Sequence, residues 1–95
     1  MKLFLISQDV NDGYDVYDSA VVAAESEEAA RSIHPSRFYE RLGNGWGFKY
    51  SSGEVKYEGE QTDCWCALDD VKVRCIGETE TVQAGGVVCA SFNAG

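Results

Sequence analysis

Five side chains in this sequence have the chemistry to hold a metal ion, exchange electrons or attack an electrophile: Cys64, Cys66, Cys75, Cys89 and the sole histidine, His34. Four thiolates complete a tetrahedral zinc site, and an imidazole can replace one of them. Structural zinc usually draws its ligands from two close pairs. Here only "CWC" at 64–66 is a pair, while Cys75 and Cys89 stand singly in strand-like stretches. An extended C-x-C segment turns Cys64 and Cys66 to one face and Trp65 to the other, so both thiols could reach one metal. Against this, Cys75 and Cys89 fill valine-like slots, where a free cysteine serves as a small buried hydrophobe. A redox pair would need a cationic neighbour to lower a thiolate pKa. The nearby Asp63, Asp69 and Asp70 have the wrong sign. Nothing marks the chain as secreted, so the thiols are expected to stay reduced. The expectation is no metal, no cofactor and no disulfide, with "QTDCWCALDD" a strand or loop that buries Trp65.

Three further stretches invite a chemical reading. Asp9, Asp12, Asp15 and Asp18 recur at a three-residue interval, which hints at calcium. An EF-hand loop needs a different spacing, with its glycine one position later and a distal glutamate, so a solvated loop fits better. "GNGWG" resembles a phosphate-cradling loop but lacks the lysine and the following helix. It reads as a turn that presents Trp46. Phe38, Tyr39, Phe48, Tyr50 and Tyr57 surround it in sequence, which makes either an interaction surface or a small satellite core. His34 precedes a proline at a helix end, and no nucleophile lies in a recognisable motif. The chain is therefore read as non-enzymatic.

The elements that would position these residues follow from periodicity. "KLFLISQ" (2–8) is apolar on both alternating faces, which places it inside a sheet rather than at an edge. "DVNDGYD" is a polar turn, and 14–24 is a second strand, antiparallel to the first. Helix 26–34 starts at Ser26 as N-cap with Glu27 and Glu28 at the positive end of its dipole. Ala29, Ala30 and Ile33 form its apolar stripe, and Pro35 stops it. Residues 36–69 are an excursion, containing a hairpin about "SSG" with Tyr50 and Tyr57 near the turn. Strands return at 70–77 and 86–92. The layout is α+β: a small antiparallel sheet with one short helix on a face and an inserted hairpin, all within one domain, 1–95.

Sixteen acidic residues against eight basic ones give a formal charge of −8. Binding a phosphate backbone needs clustered Lys and Arg, so direct nucleic-acid contact is not expected. No run of apolar residues is long enough to span a membrane. The N-terminus lacks the apolar core of a signal peptide and reads as a first strand, which suggests a cytoplasmic protein. The acidity either keeps the surface solvated or docks on a basic protein surface.

The stretches "YDSAVVAAESEEAARSIHP", "DVKVRCIGE" and "GVVCASFNAG" resemble a family of small, uncharacterised proteins from bacteria, their prophages and phages. Those proteins open on a similar M-K-x-F/Y-L strand and close on a similar A-S-F-N-A-G. The resemblance covers 1–35 and 70–95, leaves 36–69 particular to this chain, and does not include the cysteines. It implies a non-secreted protein of a mobile-element setting and carries over no site residue. The leading expectation, by association, is a phage-type inhibitor of host or defence machinery, anti-CRISPR proteins being one such class. Its partner would be a protein with a basic surface. The contact residues would be Asp9, Asp12, Asp15, Asp18, Trp46, Tyr50, Glu54, Tyr57, Glu58 and Glu60. A second expectation is a small-ligand module binding a nucleotide signal, with a pocket lined by Trp46, Tyr50 or Trp65 and by Lys49, Lys56 or Arg41. A third is a zinc-stabilised structural domain. Neither the target nor the oligomeric state is encoded legibly.

Overall fold

In the computed structural model, which describes residues 1–10, 15–78 and 86–93 (without the side chains of 92 and 93), two antiparallel sheets share one core. The larger contains β1 (Lys2–Ser7), β2 (Val16–Ala24), β6 (Lys72–Glu78) and β7 (Gly86–Asn93) in the order β6-β1-β2-β7. The smaller is β3 (Tyr39–Leu42), β4 (Gly45–Lys49) and β5 (Val55–Gly59), with β4 in the centre. A short helix, α1 (Glu27–Arg31), packs on β1, β2 and β6. The class is α+β, with little helix.

The two-sided apolarity of "KLFLIS" has its expected consequence: β1 lies between β6 and β2. Phe4 and Ile6 face the core and are buried, while Leu3 and Leu5 on the other face are half-buried. Opposite them, Val22 and Ala20 complete the inner row. The core then runs through Ala30 of α1 to Trp46 of β4 and on to Trp65, Cys66, Leu68 and Val71.

Helix α1 is shorter than the expected 26–34. Ser26 caps it as anticipated, its Oγ accepting from the Ala29 N–H at 3.1 Å. At the other end the Ser32 hydroxyl donates to the Glu28 carbonyl, and Pro35 keeps His34 out of helical geometry. The stripe is also narrower. Ala30 is fully buried and Ile33 packs at the core margin, but Ala29 is exposed.

The excursion is more ordered than an insertion with a hairpin. The hairpin about "SSG" forms, with Gly53 at φ +93° and its N–H donating to the Tyr50 carbonyl at 2.9 Å. Tyr50 lies at the turn, whereas Tyr57 sits inside β5 opposite Gly47. A second tight turn at Gly43–Asn44 adds β3, with Gly43 at φ +63°, where a two-residue hairpin turn calls for glycine. Gly45 and Gly47 are required by close packing. A Cβ on Gly45 would meet the Gly59 carbonyl oxygen at 2.3 Å, and one on Gly47 would meet Val55 Cγ1 at 2.6 Å. Arg41 ties the small sheet to α1 by donating to Ser32 Oγ at 2.6 Å and pairing with Glu28 at 3.2 Å. Arg31 in turn donates to the carbonyls of Leu68 and Val71, fixing the 3-10 turn Leu68–Asp70 beneath the helix.

Two cysteines depart from expectation. Cys75 and Cys89 are exposed rather than core. Both lie on the edge strands, β6 and β7: Cys89 pairs with Val21 on the half-buried outer row, whereas Cys75 pairs with core-facing Phe4 beside a register shift. Register shifts contribute as well: Ile76 is passed over where Phe4 meets Cys75 and Leu3 meets Gly77. Val88 is likewise passed over in β7, which places Val87, not Val88, opposite Val22. Strict alternation along β7 is broken there.

Candidate functional site

His34, Thr62 and Cys64, distant in sequence, form one hydrogen-bonded chain. The His34 ring is buried, stacked on Tyr39 at 4.6 Å and met edge-on by Trp46 at 5.0 Å. Its Nδ1 accepts the Ser36 backbone N–H at 2.9 Å. A neutral imidazole with Nδ1 as acceptor carries its proton on Nε2. Nε2 therefore donates to Thr62 Oγ1, 3.0 Å away. The Thr62 hydroxyl is then free to donate to Cys64 Sγ at 3.7 Å. Burial pushes the His34 pKa down to about 3, so the ring is neutral at physiological pH.

The polarity of this chain bears on nucleophilic chemistry. A histidine that activates a cysteine must accept its proton. Here the acceptor nitrogen is occupied by Ser36, and the other nitrogen donates to the Thr62 hydroxyl, which stands between the ring and the thiol. The Cys64 thiol is itself pushed up, first by burial and then by Asp63. The arrangement pins the 33–36 loop to the 62–66 segment and does not activate Cys64.

Residues 62–66 are held from several sides. The Thr62 N–H donates to the Trp65 carbonyl, and the Tyr17 N–H donates to the Cys64 carbonyl, both at 3.0 Å. Trp46 Nε1–H donates to the Cys66 carbonyl at 2.9 Å. Trp65 is fully buried, as expected, and the Cys66 thiol is pushed up to about 12 by burial and then by Asp70. Within "CWC", Trp65 and Cys66 belong to the core and Cys64 is half-buried. All four thiols are free, and no cluster of three or more His, Cys, Asp or Glu suited to a metal occurs among the described residues.

The residues expected to meet a partner are divided by the structure. Trp46 is not at the surface: it is 0% exposed, and the aromatic-core alternative holds for it. Tyr50 and Tyr57 are exposed at 42% and 46%. They belong to opposite faces of the small sheet, because Tyr57 pairs with Gly47 while Tyr50 packs on Phe48 at 5.1 Å. Phe38, absent from the expected set, is 51% exposed and lies parallel to Phe48 at 6.4 Å. Phe38, Phe48 and Tyr50 thus form a row of rings along one end of the small sheet. Glu54 adjoins it, since its carbonyl accepts the Tyr50 N–H across the hairpin turn at 2.8 Å.

The acidic candidates are similarly sorted. Asp12 lies outside the described residues. Asp9 pairs with Lys72 at 2.6 Å, and this partner holds its carboxyl below its ordinary value. Asp15 (φ +61°) leads into β2, and Asp18, like Glu54, Glu58 and Glu60, is exposed. Asp63, not among the expected contacts, is close enough with Glu58 to raise the Tyr39 phenol, though burial contributes more. Because Cys64 is bonded to Tyr17, Asp63 also lies beside the strand that carries Asp15 and Asp18.

Two surface grooves lie among the described residues. One, of about 490 Å³, is polar and includes Glu28, Arg31, Arg41, Glu60 and Asp69. The other, of about 430 Å³, includes His34, Arg37, Tyr39 and Lys49. Neither is lined by Trp46, Tyr50 or Trp65, so the aromatic platform expected of a nucleotide pocket is not formed in them. No helix among the described residues is long and apolar enough to cross a membrane. No family model, curated protein or solved structure matches the chain.

Proposed function

We propose that this protein acts by binding another protein, as a phage-type inhibitor of host or defence machinery would, and performs no catalysis of its own. The observation that carries the reading is the ring row Phe38–Phe48–Tyr50, exposed at Phe38 and Tyr50 and half-buried at Phe48, with Glu54 beside it. Aromatic side chains held by ring contacts lose little entropy on binding and supply most of the energy of small interfaces. Glu54 adjoins that anchor across the hairpin turn, while Arg37 lies over the Phe38 ring at 5.3 Å and Lys56 pairs with Phe48, so the preference for a partner with a basic surface rests on the net charge of −8. Such charges steer association more than they hold the complex. Trp46 and Asp9 drop out of the contact set, the first as core and the second as the partner of Lys72. The chemistry-bearing alternative is weakened by the donor polarity at His34.

The test is comparative capture from bacterial lysate with three baits: wild type, Phe38→Ser/Tyr50→Ser, and Glu54→Gln/Glu58→Gln/Glu60→Gln. The reading expects a protein retained by wild type and lost from the first variant, with weaker retention by the second. Equal retention by all three baits would overturn it.

A further inference from the structure

Among the described residues strand β7 forms one edge of the larger sheet, and a bulge at Val88 is its one protective feature. Edge strands expose unpaired N–H and C=O groups, and proteins protect them with charge, proline, bulges or brevity. The other three edges carry charge: Lys72, Arg74 and Glu78 on β6, Glu40 and Arg41 on β3, and Lys56 and Glu58 on β5. From Thr81 to the end of the sequence there is neither a charged residue nor a proline. Residues Val87 to Ser91 are all exposed, Val87 at 41% and Val88 at 52%. The strand runs for eight residues, a length of about 27 Å at 3.4 Å per residue.

We infer that β7 is a self-pairing edge: two copies of this chain join β7 to β7, antiparallel about a two-fold axis, into a continuous eight-stranded sheet. Charge selects the occupant. Two copies each carrying −8 repel wherever their carboxylates face each other. Along β7 a second copy meets a neutral, apolar strand that is its own complement, as a two-fold interface requires. Antiparallel pairing would satisfy the outward backbone groups of both strands at once. One strand edge covers far less than the roughly 800 Å² per partner of a stable complex. The dimer is therefore weak and reversible, with a dissociation constant on the order of 100 µM. Gly86 and Val87, at one end of β7, line the groove that also includes Arg37, Tyr39 and Lys49, so the paired edge borders that groove.

Sedimentation equilibrium from about 5 µM to about 1 mM tests the inference. Wild type should pass from monomer to dimer across that range. Val88→Lys, which sets like charges near each other on the shared edge, should weaken dimerisation at least tenfold while keeping the wild-type circular dichroism spectrum. In a Cys75→Ser background, Cys89 lies near the middle of the paired strand, and a short bis-maleimide should cross-link it between copies in a concentration-dependent way. The cross-link reads the arrangement even where Val88→Lys fails to fold. A protein that stays monomeric at 1 mM, or a dimer with no Cys89 cross-link, would overturn the proposal.

Discussion

Lowering the pH should destabilise this protein through one identifiable ring. His34 is the sole histidine, and burial pushes its pKa from 6.5 to about 3. In the unfolded chain the ring regains its ordinary value. Between those two values the unfolded state binds a proton that the folded state refuses. The stability tied to the neutral ring is thus complete above pH 6.5 and lost as pH falls towards 3. At about 1.4 kcal/mol per unit, the full window is worth on the order of 4–5 kcal/mol. That approaches the whole stability of small domains, about 5–15 kcal/mol. Carboxylates complicate the lower half of the window, so the diagnostic range is pH 7 to 5, where linkage gives a loss of about 2 kcal/mol. Urea unfolding followed by the fluorescence of the buried Trp46 and Trp65 measures it, with His34→Gln as control. The wild type should lose that stability over the range, and the variant, weaker at pH 7, should show a much flatter profile. Equal slopes in the two proteins, or no slope in wild type, would refute the sealed-histidine argument.

Other substitutions probe the framework. Trp46→Phe removes the donor to the Cys66 carbonyl and should cost about 1–3 kcal/mol in urea unfolding, because a buried acceptor is orphaned. Trp46→Ala adds a cavity and should cost at least about 3 kcal/mol. Gly45→Ala forces a methyl onto the Gly59 carbonyl and should lose about 1–3 kcal/mol, visible as a lower thermal midpoint. Thiol titration with an aromatic disulfide should find Cys75 and Cys89 fast, Cys64 slow, and Cys66 reactive only after denaturation. A fast Cys66 would show that the "CWC" segment is not closed.

The parts of the fold that were legible in the sequence share a local cause. Two-sided apolarity placed β1 inside a sheet, Ser26 with its glutamates marked the helix start, and "SSG" marked a hairpin. Strand β3 was missed because "YERL" has no apolar alternation, its signal lying in the Gly43–Asn44 turn beside it. The cysteine error had another source. Alternation tells which residues share a face but neither which face is inward nor where a bulge shifts the register, and Cys89 lies on the outer row while Cys75 sits beside a register shift. The aromatic residues were visible as a group, but their sorting was not. Trp46 is buried because His34 and Cys66, from distant stretches, close over it. Phe38 was legible as one of these aromatics but not as a contact residue, because its ring partners, Phe48 and, through it, Tyr50, are assembled only by strand pairing.

The most direct measurement of the binding account is the pair of rate constants for a captured partner, by surface plasmon resonance, as a function of salt. Steering by the acidic residues predicts that association slows as salt rises past physiological strength, where the screening length is about 8 Å. Glu54→Gln/Glu58→Gln/Glu60→Gln should lower the association rate, and Phe38→Ser/Tyr50→Ser should raise the dissociation rate. An affinity indifferent to salt, with both rate constants unchanged in both variants, would contradict binding through this surface.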